Sequence, residues 1–328
     1  MAHPQPEKSG PKKPRRSRLQ DAPTARQQTT GPRPQYGVHG VIWKLGGAWL
    51  YSRFGWKWLI RLSLRDRFEN AMESLWDLRK TQMVIATVNS KGGSGKTTAT
   101  VWLSAFLAFV LKRQIVAFDV NESPGHTAKR LGVDREETIQ LREFLSRRNS
   151  LRHYDSFAKV VASHRQTGVS VIASEEASIE SLHQEDFEEA LYIAKRNAHS
   201  VFCDCGNVID GPTNYGAVKK ADVVVFTGIA GFDDSLDDIS NTMKRYTDLG
   251  YAEKVKSGIV VIFGAYNRNR GEFAARYGLP IGRVFVVPFN KYMARNNPVL
   301  LDMIPRQVQV VLLEILVAIA KAAQAPET

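Results

Sequence analysis

Cysteine is scarce in this chain of 328 residues, which contains only Cys203 and Cys205. The two lie on one predicted strand, and we expect their side chains on opposite faces, where they cannot readily bridge each other. Few, unbridged cysteines are typical of a reducing compartment, so the composition favours a cytoplasmic protein. No apolar segment near the N terminus has the form of a signal peptide.

Long apolar runs are also missing. The longest, residues 310–320, is interrupted by Glu314 and is too short to cross a bilayer, so we expect a protein that is soluble or only peripherally attached to a membrane. We detect no internal repeat. Because 43% of the residues are hydrophobic, the chain can still bury a substantial core, which indicates one domain of ordinary size plus additional sequence.

Acidic residues are rare in the N-terminal part of the chain. Residues 1–70 contain 14 Lys and Arg against 4 Asp and Glu, so they carry +10 of the net charge of +12. Residues 1–36 have scarcely any apolar side chain and are predicted to form a disordered basic arm. The basic cluster at residues 12–18 suits the phosphates of nucleic acid or an anionic membrane, but a solvated tail has the same composition.

Tryptophan, in contrast, is concentrated in residues 37–81, which contain five of the six in the chain. Basic residues recur every four positions from Arg53 to Arg65 beside an apolar row, as on an amphipathic helix. Such a helical extension could lie on a membrane, with residues 41–66 as the contact, or dock on a partner protein. It could also pack on the domain that follows while its arginines reach water, and the sequence leaves all three possibilities open.

The most specific stretch is residues 83–98, MVIATVNSKGGSGKTT. Its first half is β-branched and apolar, as in a strand that is covered on both faces. The glycine-rich turn that follows can aim successive amide N–H groups at an anion, and a helix beginning near Lys96 adds the positive end of its dipole. The spacing predicts a phosphate-binding loop in which Lys96 reaches the β- and γ-phosphates and Thr97 ligates Mg²⁺.

Apolar strands and helices alternate from this loop to about residue 325. Further strands are predicted to begin near residues 114, 169, 200, 221, 257 and 283, and the charged segment 134–167 is predicted to be helical. About seven strands separated by helices predict an α/β fold with a doubly wound, mostly parallel sheet. We assign residues 82–325 to this domain and expect its last helix, 306–323, to pack in the core.

The loop sequence KGGSGKTT, from Lys91 to Thr98, resembles the deviant Walker A box of the ParA/MinD family of P-loop ATPases. Ser90 stands where an ordinary P-loop begins with glycine, and the additional Lys91 follows it. The resemblance implies ATP and Mg²⁺ as cofactors and a homodimer formed on ATP, in which Lys91 crosses to the nucleotide of the partner. The implied nucleotide contacts in this loop are Gly92, Gly93, Ser94, Gly95, Lys96, Thr97 and Thr98.

Three other places in the chain resemble motifs of the same family. Asp119 opens the sequence DVNESPG, similar to the second box, and would orient or activate the water that attacks the γ-phosphate. Asp204, at the end of a strand, would hold Mg²⁺ with Thr97 as a Walker B residue, although Cys205 departs from the family pattern there. Asn267 and Pro288 stand where the family contacts the adenine base.

The resemblance implies a Mg-ATPase that acts as a nucleotide switch in DNA partition or in the intracellular positioning of DNA or protein cargo. A partner protein would stimulate its hydrolysis. Arg268, Arg270 and Arg276 are the surface residues expected to grip DNA, together with the basic arm. The protein would then be cytoplasmic and associated with the nucleoid.

The sequence is also compatible with different functions. The order of basic arm, Trp-rich helix and deviant box resembles ParA-like ATPases found near actinobacterial secretion loci, which implies a regulator associated with a membrane or a secretion system. A scaffold that binds nucleotide without hydrolysis is another possibility, against which the presence of Lys91 and Asp119 argues. Iron–sulfur carriers of related fold need ligating cysteines outside the Walker B strand, and this chain has none.

Overall fold

The computed structural model describes residues 56–121, 126–151, 153–174, 183–231, 233–265, 269–295 and 298–325. Apart from Trp56, these residues belong to the second of two compact units, residues 57–328. The predicted basic arm, the first part of the Trp-rich extension and Asn267 lie outside the described residues.

An eight-stranded parallel sheet forms the centre of the described unit, as the alternation of strands and helices predicts. Its strands are β1 (Met83–Val88), β2 (Ile115–Val120), β3 (Ile139–Gln140), β4 (Ser170–Ala173), β5 (Ser200–Cys205), β6 (Val223–Ile229), β7 (Ile259–Phe263) and β8 (Val284–Val287). Their order in the sheet is β3-β4-β2-β5-β1-β6-β7-β8, and every pair is parallel. The predicted doubly wound α/β fold is therefore confirmed.

Helices connect the strands and cover the sheet. They are α1 (Trp56–Asp77), α2 (Lys96–Leu111), α3 (Thr127–Arg130), α4 (Leu141–Ser146), α5 (Tyr154–Val160), α6 (Gln184–Asn197), α7 (Pro212–Lys220), α8 (Asp233–Asp248), α9 (Ala252–Ser257), α10 (Arg270–Tyr277), α11 (Lys291–Ala294) and α12 (Arg306–Gln324). Alternate residues of the longer strands contribute to two hydrophobic clusters, one on each side of the sheet. Ile85 packs in the cluster that contains α2 and α12, and its neighbour Ala86 packs in the other.

The second half of α1 packs on this core. Leu75 is 1% exposed, and Ala71 is also buried. Arg67 and Glu314 join α1 to α12 through two parallel hydrogen bonds of 2.8 Å, a geometry that fixes both side chains. The Trp-rich extension therefore packs on the domain through this half of α1. Contact of its earlier residues with a membrane or a partner protein stays a prediction, because their side chains lie outside the described set.

Helix α12 is long and apolar enough to cross a membrane by length and composition. Its inner face, however, is buried in the same cluster as α2, and residues such as Leu312, Leu316 and Ile319 are inaccessible to solvent. These side chains pack as those of a core helix, in agreement with the sequence.

Two local expectations were wrong. Strand β3 lies within the segment predicted to be helical, because two residues at the edge of the sheet are too few to show a strand pattern. Cys203 and Cys205 lie on the same face of β5, in one hydrophobic cluster, as residues two positions apart on a strand must. Both thiols are nevertheless free, as expected.

Candidate nucleotide-binding site

The glycine-rich loop joins the carboxyl end of β1 to the amino end of α2. Gly93 and Gly95 have φ angles of 74° and 94°, which residues other than glycine rarely adopt. A Cβ atom on Gly95 would also lie only 2.9 Å from the ring of Phe263. The backbone can therefore turn tightly here and present its N–H groups at the start of α2, where the helix dipole favours an anion.

Lys96 is held at the centre of this loop. Its Nζ donates to the backbone carbonyl of Lys91 at 2.8 Å and to Oδ1 of Asn207 at 2.7 Å. Burial lowers the pKa of Lys96, and the nearby carboxylate of Asp204 partly offsets this effect. The ammonium is thus fixed in position and satisfied by neutral oxygens, which can be exchanged for the oxygens of a phosphate.

Two carboxylates lie side by side next to the loop. Asp119 and Asp204 are paired in register on β2 and β5 and are almost completely buried. Burial raises the pKa of Asp119, and hydrogen bonds from Asn121 and Thr127 oppose the shift. Burial, and then the charge of Asp119, raise the pKa of Asp204 to about 7, because two carboxylates in one dry site disfavour each other's ionisation.

These residues fit a magnesium ion. Oδ2 of Asp204 accepts a hydrogen bond from the hydroxyl of Thr127 at 2.8 Å, whereas its buried Oδ1 has no hydrogen-bond partner among the described residues. Thr97 also interacts with Asp204 and lowers its pKa. A carboxylate with an unused oxygen beside a hydroxyl is the kind of oxygen donor set that Mg²⁺ binds. Cys205 contributes no charge here, since burial raises the pKa of its thiol.

A cavity of about 580 Å³ opens above the loop. The structure brings together around it all the predicted contacts of the loop from Gly92 to Thr98, and also Pro288. Phe289, Asn290 and Met293 continue the wall on the Pro288 side. The phosphate loop lies at one end of the cavity and the proline-bearing loop at the other. This lining and the volume of the cavity suit a nucleoside polyphosphate.

Lys91 lies outside this cavity wall. Its Nζ is 3.3 Å from Asp234 and 3.8 Å from Asp238, both at the start of α8. The preceding residue, Ser90, donates its N–H to Thr242 of the same helix at 3.0 Å. The loop is therefore anchored to α8, and the ammonium of Lys91 contacts acidic residues of that helix.

Sequence reasoning missed several residues of the site, among them Asn207 and Arg130. Asn207 follows Asp204 by three positions, which was the available signal, and its carboxamide holds Lys96. Arg130 sits at the end of α3, the short helix after the second box, and lines the cavity with His126. Nothing in the local sequence distinguishes this arginine from a surface arginine.

The arginines expected to grip DNA are only partly available. Arg268 lies outside the described residues. Arg270 donates to the carbonyls of Ile281 and Val284 and stacks on Phe285, and Arg276 pairs with Asp237. These interactions occupy part of the hydrogen-bonding capacity of both guanidinium groups, so phosphate contacts would fall to their remaining N–H groups.

The parallel sheet, the glycine loop between β1 and α2, and the carboxylates on the two neighbouring strands define a P-loop NTPase fold of the ParA/MinD type. Among solved structures, a ParA family ATPase from Chlorobium tepidum TLS superposes with a TM-score of 0.60 at 16% identity over 72% of this chain and 98% of that one. McdA of Cyanothece in complex with ATP gives 0.55 at 13% identity, over 76% and 99% of the two chains. MinD in the MinC:MinD cell division complex of Aquifex aeolicus gives 0.53 at 17% identity, over 71% and 93%.

No protein-family model matches the sequence. Among curated proteins, the ESX-1 secretion-associated protein EspI of Mycobacterium tuberculosis is 26% identical over 228 residues, in both strain CDC 1551 / Oshkosh and strain H37Rv. The match covers 67% of this chain and 34% of EspI, so the chain spans about a third of the length of the curated relatives that it matches.

Proposed function

We propose that this protein is a cytoplasmic Mg-ATPase that forms an ATP-sandwich homodimer and acts as a nucleotide switch in the positioning of a cargo. The observation that carries the proposal is that two lysines of one loop, Lys91 and Lys96, have different environments. Lys96 is buried at the phosphate cradle, whereas Lys91 is displayed at the outer side of the loop, where a second subunit could receive it.

The residues of the site have distinct roles in this proposal. The amides of the loop and Lys96 bind the phosphates and neutralise the charge that develops on them. Asp119 orients the attacking water, and Thr97 and Asp204 hold Mg²⁺, which supplies further neutralisation of the phosphate charge. Lys91 reaches the nucleotide of the partner and completes the site only in the dimer, which makes hydrolysis depend on association.

The cargo would be DNA or protein, with a partner protein that stimulates hydrolysis. The solved structures of similar fold include a ParA family ATPase and a MinD in complex with MinC. This likeness supports the positioning of a cargo as the general class of function. Because Arg270 and Arg276 are engaged within the protein, DNA contacts in this proposal fall mainly to the basic arm and to other surface cations.

The first experiment is to measure ATP-dependent dimerisation by light scattering or sedimentation. Asp119→Ala should trap the ATP-bound state, and Lys91→Ala is the control that keeps the cradle but removes the crossing lysine. We expect a dimer of Asp119→Ala with ATP but not with ADP, and none for Lys91→Ala. A monomer with every nucleotide would contradict the switch and favour a nucleotide-binding scaffold.

A second candidate function is regulation at a membrane or a secretion system. The likeness to EspI, named for its association with ESX-1 secretion, favours it, as does the Trp-rich basic extension. Flotation of the full chain with anionic or neutral vesicles, compared with DNA binding measured by fluorescence anisotropy, separates this candidate from DNA partition. Loss of DNA binding in a chain without residues 1–36, with vesicle binding kept, would support the arm as the DNA contact and the extension as the membrane contact.

A further inference from the structure

Arg130 is a buried cation in the wall of the nucleotide cavity. The residue is 5% exposed, yet it lines the cavity beside the phosphate loop. Its Nη1 donates to the hydroxyl of Thr98 at 2.7 Å, and its Nη2 donates to the carbonyl of Met293 at 3.0 Å. The Nε atom is buried and has no hydrogen-bond partner within the described ranges.

The guanidinium of Arg130 has no directly paired carboxylate among the described residues. Among the residues that the structure describes, no carboxylate lies within 4 Å of Arg130, and both of its partners are neutral oxygens. Burial lowers the pKa of Arg130, and the more distant Asp204 opposes the shift, but an arginine stays protonated in proteins. A buried cation without a paired anion is costly, so the fold retains here a charge that an anionic ligand would compensate.

The position of Arg130 specifies which part of a nucleotide it faces. Thr98 lies at the start of α2, just beyond the residues that cradle the terminal phosphates, and Met293 lies on the Pro288 side of the cavity. Arg130 spans these two walls, and the stretch of a nucleotide between its terminal phosphates and its base consists of the first phosphate and the ribose.

Helix α3 also connects both ends of the site. Thr127, at its first position, donates to Asp204, and the carbonyl of Arg130 accepts the N–H of Val299 at 2.8 Å. One helical turn therefore contacts Asp204, the phosphate loop and Val299, which follows the proline-bearing loop along the chain.

We propose that Arg130 is a positioning residue that binds the phosphate nearest the ribose and holds the two walls of the cavity together around a nucleoside di- or triphosphate. This inference rests on the proposed nucleotide-binding function. Its consequence is specific: the contribution of Arg130 is the same for ATP and ADP, in contrast to residues that act on the γ-phosphate.

The test is the affinity of the full chain for ATP and ADP, measured by displacement of a fluorescent ADP analogue. Arg130→Gln should weaken both nucleotides by the same factor, about 10- to 100-fold, as expected for loss of a hydrogen-bonded charge. Arg130→Lys keeps the charge and should restore part of the affinity. Arg270→Gln is the matched control, since Arg270 also is partly buried and donates to two carbonyls but does not line the cavity, and it should bind normally.

Thermal unfolding without nucleotide separates this role from a purely structural one. If Arg130→Gln lowers the melting temperature but leaves both affinities unchanged, Arg130 only ties Thr98 to Met293 and the inference is overturned. Recovery of affinity in Arg130→Lys without recovery of the melting temperature supports it, and failure to recover any affinity contradicts it. If the unmodified chain binds neither ATP nor ADP, the proposed function fails first.

Discussion

Lys91 and Asp234 form an ion pair, with Nζ and Oδ2 3.3 Å apart, and Lys91 does not line the cavity at the phosphate loop. Five residues later in the chain, Lys96 is buried in that loop. The Lys91 side chain is 41% exposed and that of Asp234 87%, so the pair is worth at most about 1 kcal/mol and can be exchanged readily. Two lysines of one motif therefore have different environments and should have different mutant phenotypes.

Lys91→Ala should leave the binding of ATP and ADP to a single subunit within about threefold, because its ammonium does not line the cavity. Turnover should fall by about 10³- to 10⁵-fold, by analogy with residues that act on the phosphates from another subunit. Nucleotide titration and phosphate release measure the two effects. Lys96→Ala is the control and should lose binding as well. Normal hydrolysis by Lys91→Ala would disprove its role across the dimer.

Asp119→Asn should stabilise the nucleotide-free protein. The buried carboxylates of Asp119 and Asp204 lie side by side in register. Replacing Asp119 by a neutral residue removes the cost of burying its charge and also removes its repulsion of the Asp204 carboxylate. We expect a gain of about 1 kcal/mol, which is roughly 2–4 °C in melting temperature for a domain of this size. Hydrolysis should be lost in the same variant. An unchanged or lower melting temperature would show that the bonds from Asn121 and Thr127 outweigh the repulsion.

The phosphate loop and the positions of most strands along the chain could be predicted from the sequence because each has a strong local signal. Glycines at fixed spacing before a lysine have few structural alternatives, and β-branched runs separated by helical patterns specify a parallel sheet. The carboxylates at Asp119 and Asp204 were also predictable, since ligands of such sheets lie at the carboxyl ends of the strands.

The features that the sequence did not reveal depend on contacts between distant parts of the chain. Arg130 reaches Thr98 across 32 positions and Met293 across 163, and no local pattern indicates either contact. Likewise, the outward position of Lys91 depends on acidic residues of α8. Strand β3 exists because β4 offers it a free edge, not because of a periodicity of its own.

Leu75→Ala tests whether α1 is part of the domain. The side chain is buried between α1 and the core, so its truncation should cost about 2–5 kcal/mol of unfolding free energy. Denaturant unfolding measures the change. The neighbouring Trp76 is 52% exposed, and Trp76→Ala should change stability by less than about 0.5 kcal/mol. If Leu75→Ala leaves the free energy of unfolding unchanged, α1 does not pack on the domain in solution and is available to a membrane or a partner.

Glu188 gives the protein a component of stability that depends on pH. A hydrogen bond from Gln184, and then those from Lys219 and Lys220, lower the pKa of its carboxyl from 4.5 to about 2. Because the folded pKa is the lower one, the stabilisation is complete at neutral pH and is lost as the pH falls from about 4.5 towards 2. Its size should stay below about 1 kcal/mol, since both lysines are nearly half exposed.

Glu188→Gln should therefore be less stable than the unmodified protein at pH 7, and the difference should shrink in that acid range. Denaturant unfolding at pH 7, 4.5 and 3.5 follows the trend. Glu253→Gln removes a carboxylate from a fully surface pair with Lys256 and serves as the control, with little expected change at any pH. The stability difference between Glu188→Gln and the unmodified protein could instead stay constant from pH 7 to 3.5. That result would mean that the variant loses packing or hydrogen bonds rather than a charge interaction, and that no electrostatic contact through Glu188 joins α6 to α7.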